Sequence, residues 1–117
     1  MSGVSPPKRG DGCCAPVVPR LSTDDAERLS ADLQILGHPI RLQILDMLAR
    51  SDGQVCVCDL EGGVPVKQPT VSHHLKLLRE AGLIDCEKHG LWAYYYIRPE
   101  ALAALRERIA AQLATFA

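Results

Sequence analysis

Aromatic residues are scarce in this chain of 117 residues: one Trp, three Tyr and one Phe. Any core must therefore be built mainly from Leu, Ile, Val and Ala. No apolar run approaches the about 20 residues needed to cross a bilayer, so no membrane partner is expected. The opening residues MSGVSPPKRGDG lack the apolar stretch of a secretory signal, and a cytoplasmic protein is expected. No charge dominates, with 13 basic against 14 acidic residues. There is no glycine-rich phosphate loop, and no nucleophile, base and orienting group fall at a recognisable spacing, so the chain is not expected to be an enzyme. Cys-x-x-Cys is absent as well, which argues against a redox dithiol.

What is present is one domain's worth of chain. Residues 1–21 hold four of the eight prolines and read as a flexible arm carrying adjacent Cys13 and Cys14. Residues 22–117 read as the folded domain. The charge is unevenly spread: residues 23–66 carry three basic and eight acidic groups, residues 67–98 five basic and three acidic. A basic segment after an acidic one is compatible with a local nucleic-acid footprint.

The folded part is predicted to be mainly α with a small β-hairpin. Ser22 or Thr23 caps a first helix, which Gly37-His38-Pro39 ends. Pro39 opens a second helix with so little polar face that it reads as central core. Cys56 to Glu61 is a short third helix, stopped by Gly62-Gly63. Pro69 opens a fourth, which Gly82 ends. Leu83 to Ile97 reads as a hairpin with Lys88-His89-Gly90 as its turn and Trp92, Tyr94 and Tyr96 alternating on the return strand. A last helix starts at Pro99, with Leu102, Leu105, Ile109, Leu113 and Phe116 on one stripe. That stripe needs a partner, for which the first helix and a second copy of the chain are the natural choices.

Two short helices joined by a glycine-containing turn and followed by a hairpin make a winged helix-turn-helix. At 100° per residue, Val71, Leu75 and Leu78 share the buried face of the fourth helix. His73 and Lys76 lie opposite, flanked by Ser72 on one side and Thr70 on the other. With Gln68 in the first turn, these groups suit base edges and phosphates in a major groove. His74 projects about 60° from the buried stripe, open either to a phosphate contact or to a half-buried role bonded to backbone. Lys88, placed at the wing tip, is a candidate phosphate or minor-groove contact.

Cys56 and Cys58 can be read as small buried residues or as metal ligands. Residues i and i+2 of a regular helix point about 200° apart, so either the helix start distorts or one thiol faces away. The arm extends the choices. Two arm thiolates plus one from the helix give three sulfurs, suited to trivalent arsenic or antimony. Both pairs together give four, suited to cadmium, lead or zinc. The eight residues from Cys14 to Ser22 span roughly 26 Å when extended, enough to reach the third helix. A cytosolic metal buffer would use such thiols too, but it would need neither the wing nor the polar helix face. Cys86, between Asp85 and Glu87, reads as a packed thiol.

LGHPIRLQILDML, CVCDL, QPTVSHHLKLLREAGLI and GLWAYYYI together resemble the ArsR/SmtB family of metal-sensing winged-helix repressors. The resemblance covers roughly residues 22–115. It implies a homodimer formed by the first and last helices, and binding to operator DNA that metal releases. Arsenic sensors of one type in that family complete a CVCDLC set, where this chain has Glu61. Relatives with paired N-terminal cysteines and one helix cysteine sense arsenite; those with spaced arm cysteines and CVC sense cadmium and lead. The adjacent Cys13-Cys14 pair favours arsenite, with Cys56 as third ligand ahead of Cys58. The family's zinc site on the last helix is expected to be missing, since residues 99–117 contain no His.

Overall fold

The computed structural model describes residues 15–51 and 53–117. The elements run α1 (Thr23–Leu36), α2 (Pro39–Arg50), β1 (Val55–Cys56), α3 (Val57–Gly63), α4 (Gln68–Glu80), β2 (Ile84–His89), β3 (Trp92–Ile97) and α5 (Pro99–Ala114). This is the expected winged helix-turn-helix, mainly helical with an antiparallel hairpin.

Local chemistry sets the helix ends. Ser22 caps α1, its hydroxyl accepting the Asp25 N–H at 3.1 Å. The His38 ring does the same for α2, with Nδ1 accepting the Ile40 N–H at 3.1 Å. The end of α4 is a Schellman turn: Leu83 N–H donates to Leu78 C=O, and Gly82 N–H to Arg79 C=O. Gly82 holds φ +80°, where a Cβ would be strained. That turn aims the chain into β2.

The core gathers Ile40, Ile44 and Leu48 of α2, Leu60 of α3, Val71, Leu75 and Leu78 of α4, Leu83 and Ile84 at the hairpin's start, and Leu105 of α5. Val71, Leu75 and Leu78 are fully buried, as their spacing predicts. The second helix is less central than its composition suggests, because Leu42 is half-exposed. The stripe on α5 divides. Leu105 is buried and Leu102 and Ile109 pack on the core, whereas Leu113 and Phe116 are 49% and 63% exposed. A fork between Arg108 and Asp32, 3.0 and 3.1 Å, joins α5 to α1.

Two sequence expectations need correction at the sheet. The third helix begins at Val57, not Cys56, because Val55 and Cys56 form a strand on β3, opposite Tyr95 and Tyr94. The sheet therefore has three strands in the order β1-β3-β2. The hairpin turn is Gly90-Leu91, since His89 already pairs with Trp92. Gly90 takes φ +66° while Leu91 does not have positive φ, the arrangement of a type II′ turn with Gly first. Lys88 consequently stands opposite Ala93, one pair below the end of the ladder, and the wing tip is Leu91, which is 99% exposed.

Candidate functional site

The fourth helix presents its polar face outward because its apolar residues are consumed by the core. Gln68, Thr70, Ser72, His73 and Lys76 are all exposed along it, and Lys88 is exposed on β2. Lys67, at the N-cap and also exposed, joins this surface. It was missed by a reading that began at the first polar residue inside the helix. The signal for it was present: a basic residue beside the first free N–H groups of the helix, a combination suited to a phosphate.

His74 does not belong to that surface. Its side chain is 5% exposed, its ring lies 4.1 Å from that of His38, and its Nδ1 is 3.1 Å from an Arg41 guanidinium nitrogen. The i+3 offset from Val71 and the adjacency to Leu75 turn it toward α2, where it cannot reach a phosphate. Removal from water lowers its pKa, and the basic neighbours His38, Arg41 and His73 lower it further. Both effects favour the neutral ring.

Cys56 and Cys58 converge. Their Sγ atoms are 2.9 Å apart, with Cys56 buried and Cys58 exposed. The 200° divergence of a regular helix does not apply, because Cys56 is the N-cap, with extended backbone at φ −68° and ψ 144°. The strand bond to Tyr94 holds Cys56 outside the helix while Cys58 sits in its first turn. The contact with Cys56 raises the Cys58 pKa, with partial loss of water and the charges of Cys56 and Asp59 adding to the rise and the Asp59 backbone N–H opposing it. Among the described residues, no three His, Cys, Asp or Glu side chains cluster as a complete metal site. Cys13 and Cys14 lie outside the described residues. Cys86 is half-buried opposite Tyr95 in the hairpin, a packed position remote in the chain from the CVC pair.

The thiol pair and the reading helix are near neighbours in the fold, since α3 packs directly on α4. The sequence pattern of the bacterial regulatory protein family arsR matches residues 38–85, from the cap of α2 to the second residue of the wing. An arsenical resistance operon repressor from Staphylococcus xylosus is 37% identical over 83 residues, covering 71% of this chain and 78% of the relative. The chain belongs to the ArsR family.

The cadmium resistance regulatory protein CadC of Listeria innocua is 34% identical over 79 residues, covering 68% of this chain and 66% of the relative. A crystal structure of an ArsR family transcriptional regulator superposes with a TM-score of 0.65 at 26% identity, covering 78% of this chain and 92% of that one. As an ArsR-family member the chain is a DNA-binding transcriptional repressor and not an enzyme. No helix among the described residues is long and apolar enough to cross a membrane.

Proposed function

We propose that this repressor binds operator DNA as a homodimer and is released when trivalent arsenic, or antimony, is captured by cysteine thiolates. The approach of Cys56 and Cys58 Sγ atoms to 2.9 Å carries the reading. Two thiols on one side of a helix start are two-thirds of a three-sulfur site, and one thiol of the arm of residues 1–21, from Cys13 or Cys14, supplies the third. Both helix thiols can then serve together, which revises the expectation that only one of them does.

Release follows from where the pair sits. An arsenic atom held by both sulfurs would sit between them and would part the pair, pressing the first turn of α3 away from β1, and α3 lies against α4. The contacts that position α4 in the groove come from Gln68, Thr70, Ser72, His73 and Lys76, with Lys67 and Lys88 on phosphates. In a dimer two such helices must enter grooves about 34–36 Å apart, so a small rotation of each is enough to weaken binding.

Dimerisation through α1 and α5 is supported by the exposed Leu33 and Leu113 on those helices and Phe116 just beyond α5. A second reading, a cadmium or lead sensor, is favoured by the same convergence. Both helix thiols with both arm thiols make four sulfurs, and CadC is a relative. Zinc also suits four thiolates.

The test is a mobility or anisotropy assay with promoter DNA, titrated separately with arsenite, antimonite, cadmium, lead and zinc. Release at the lowest concentration by arsenite or antimonite supports the arsenic reading; release by cadmium or lead alone replaces it with the four-sulfur one.

A further inference from the structure

Arg41, in the first turn of α2, spends its guanidinium in three directions. Nε donates to the Ile35 carbonyl at 2.7 Å, one terminal nitrogen donates to the Gln34 carbonyl at 2.9 Å, and the other lies 3.1 Å from His74 Nδ1. Ile35 and Gln34 are in the last turn of α1, where a helix leaves carbonyls short of internal partners; the Gln34 carbonyl also accepts the Gly37 N–H at 3.1 Å. No basic residue of α1 itself serves that turn. Arg41 therefore caps α1 from the neighbouring helix, where a positive charge complements the helix dipole.

The third direction reaches α4. Arginine keeps its proton, so it donates and His74 Nδ1 accepts, leaving the imidazole hydrogen on Nε2. The acceptor is held firmly. His74 is buried, its ring packs on His38, and His38 is pinned by the Ile40 N–H. Among the described elements α1 packs mainly on α2 and α5, and α4 on α2, α3 and β2. One guanidinium thus ties the end of α1 to the buried side of the reading helix.

We propose that Arg41 is a positioning residue, setting the angle of the reading helix against the α1/α5 dimer pair through neutral His74. This rests on the repressor reading above, in which α4 enters the groove and α1 with α5 forms the dimer. His38 from the start of α2, Arg41 from α2 and His73 from α4 are the charged or titratable groups that act on His74, and all are basic. A proton on His74 would place a second positive charge beside the guanidinium and convert the acceptor to a donor. Acid then loosens the tie from the buried side of the helix.

The experiment compares wild type with Arg41→Met, Arg41→Lys and His74→Asn in the full chain. It reads dimer assembly by sedimentation, melting by circular dichroism, the His74 tautomer by nitrogen NMR, and operator affinity from about pH 8 to about pH 5, across and below the ordinary histidine pKa. In wild type, His74 is expected as the single Nε2–H tautomer. Arg41→Met is expected to mix the tautomers, remain dimeric and lose roughly 5–150-fold in operator affinity, the usual span of coupling between sites. Arg41→Lys keeps the charge but not the fork and is expected to fall between the two. His74→Asn keeps a neutral acceptor near the Nδ1 position. It is expected to bind operator nearly as wild type at neutral pH and to lose part of the weakening on acidification. Folded, dimeric Arg41→Met that binds operator as wild type does would overturn the proposal. If Arg41→Met does not fold, a His74→Asn profile with unchanged acid sensitivity overturns it instead. A wild-type protein with the single tautomer that binds no operator would overturn the repressor reading, and the positioning role with it.

Discussion

The Sγ atoms of Cys56 and Cys58 face one another at 2.9 Å across the junction of β1 and α3. The contact exists because the two residues belong to different elements, one fixed by the sheet and the other by the helix. Cys56→Ser and Cys58→Ser are each expected to lower the thiolate-to-metal charge-transfer absorption that cadmium produces in wild type by the share of one sulfur. Operator affinity without metal should stay near wild type in both, since neither side chain lies on the outward face of α4. Full absorption in either variant would mean that its sulfur is not a ligand.

The arm thiols make a separate prediction. A Cys13→Ser, Cys14→Ser double variant is expected to bind operator normally and to lose arsenite-induced release. The coupling lost is about 1–3 kcal/mol. Normal arsenite sensitivity in that variant would remove the arm from the sensor.

Salt dependence separates phosphate contacts from base contacts. Lys76→Ala and Lys88→Ala are each expected to flatten the slope of log K against log salt by about 0.9. His73→Ala is expected to cost about 1–3 kcal/mol on the operator and little on unrelated DNA. Equal losses on both DNAs would make His73 a phosphate contact.

The dimer face is tested by charge. Leu113→Asp and Phe116→Asp place carboxylates at the exposed end of α5 and just beyond it. Burying a Leu or Phe is worth about 1.5–3 kcal/mol, and each about 1.4 kcal/mol is tenfold in the dimer dissociation constant. Both variants are expected to sediment as monomers at concentrations where wild type is dimeric, and to bind operator weakly. Dimers unchanged by both substitutions would place the interface elsewhere.

Stability against pH follows from His74. Its folded pKa is lowered by burial and by His38, Arg41 and His73, whereas unfolded histidine titrates near about 6.5. Between those two values the unfolded chain binds the proton and the folded chain does not. Stability from this group is therefore complete above about 6.5 and falls as pH drops toward the folded value. The melting temperature of His74→Asn should decline less than that of wild type over this window. Parallel declines would assign the acid sensitivity to other groups.

Much of this was legible in the residues. The Val71, Leu75, Leu78 stripe and Gly82 at the end of α4 have local causes, and helical periodicity reports them. Three features depend on pairings between elements, which periodicity does not report, and two of them involve partners distant in sequence. The Cys56–Cys58 contact depends on a strand only two residues long, held by Tyr94 and Tyr95 some forty positions on. The turn at Gly90-Leu91 depends on the His89–Trp92 pairing, so the tempting Lys88-His89-Gly90 stretch was one position early. His74 lies at an angle open to either side of the helix, and Arg41 on another helix decides the matter.

The central claim is that arsenite bound at the CVC thiols dislodges α4 from DNA. It is tested most directly by following the anisotropy of labelled operator DNA bound to wild type, Cys56→Ser and Cys58→Ser while arsenite is added. The account predicts release from wild type and retention of DNA by both variants. Release from either variant at the wild-type arsenite concentration would contradict it.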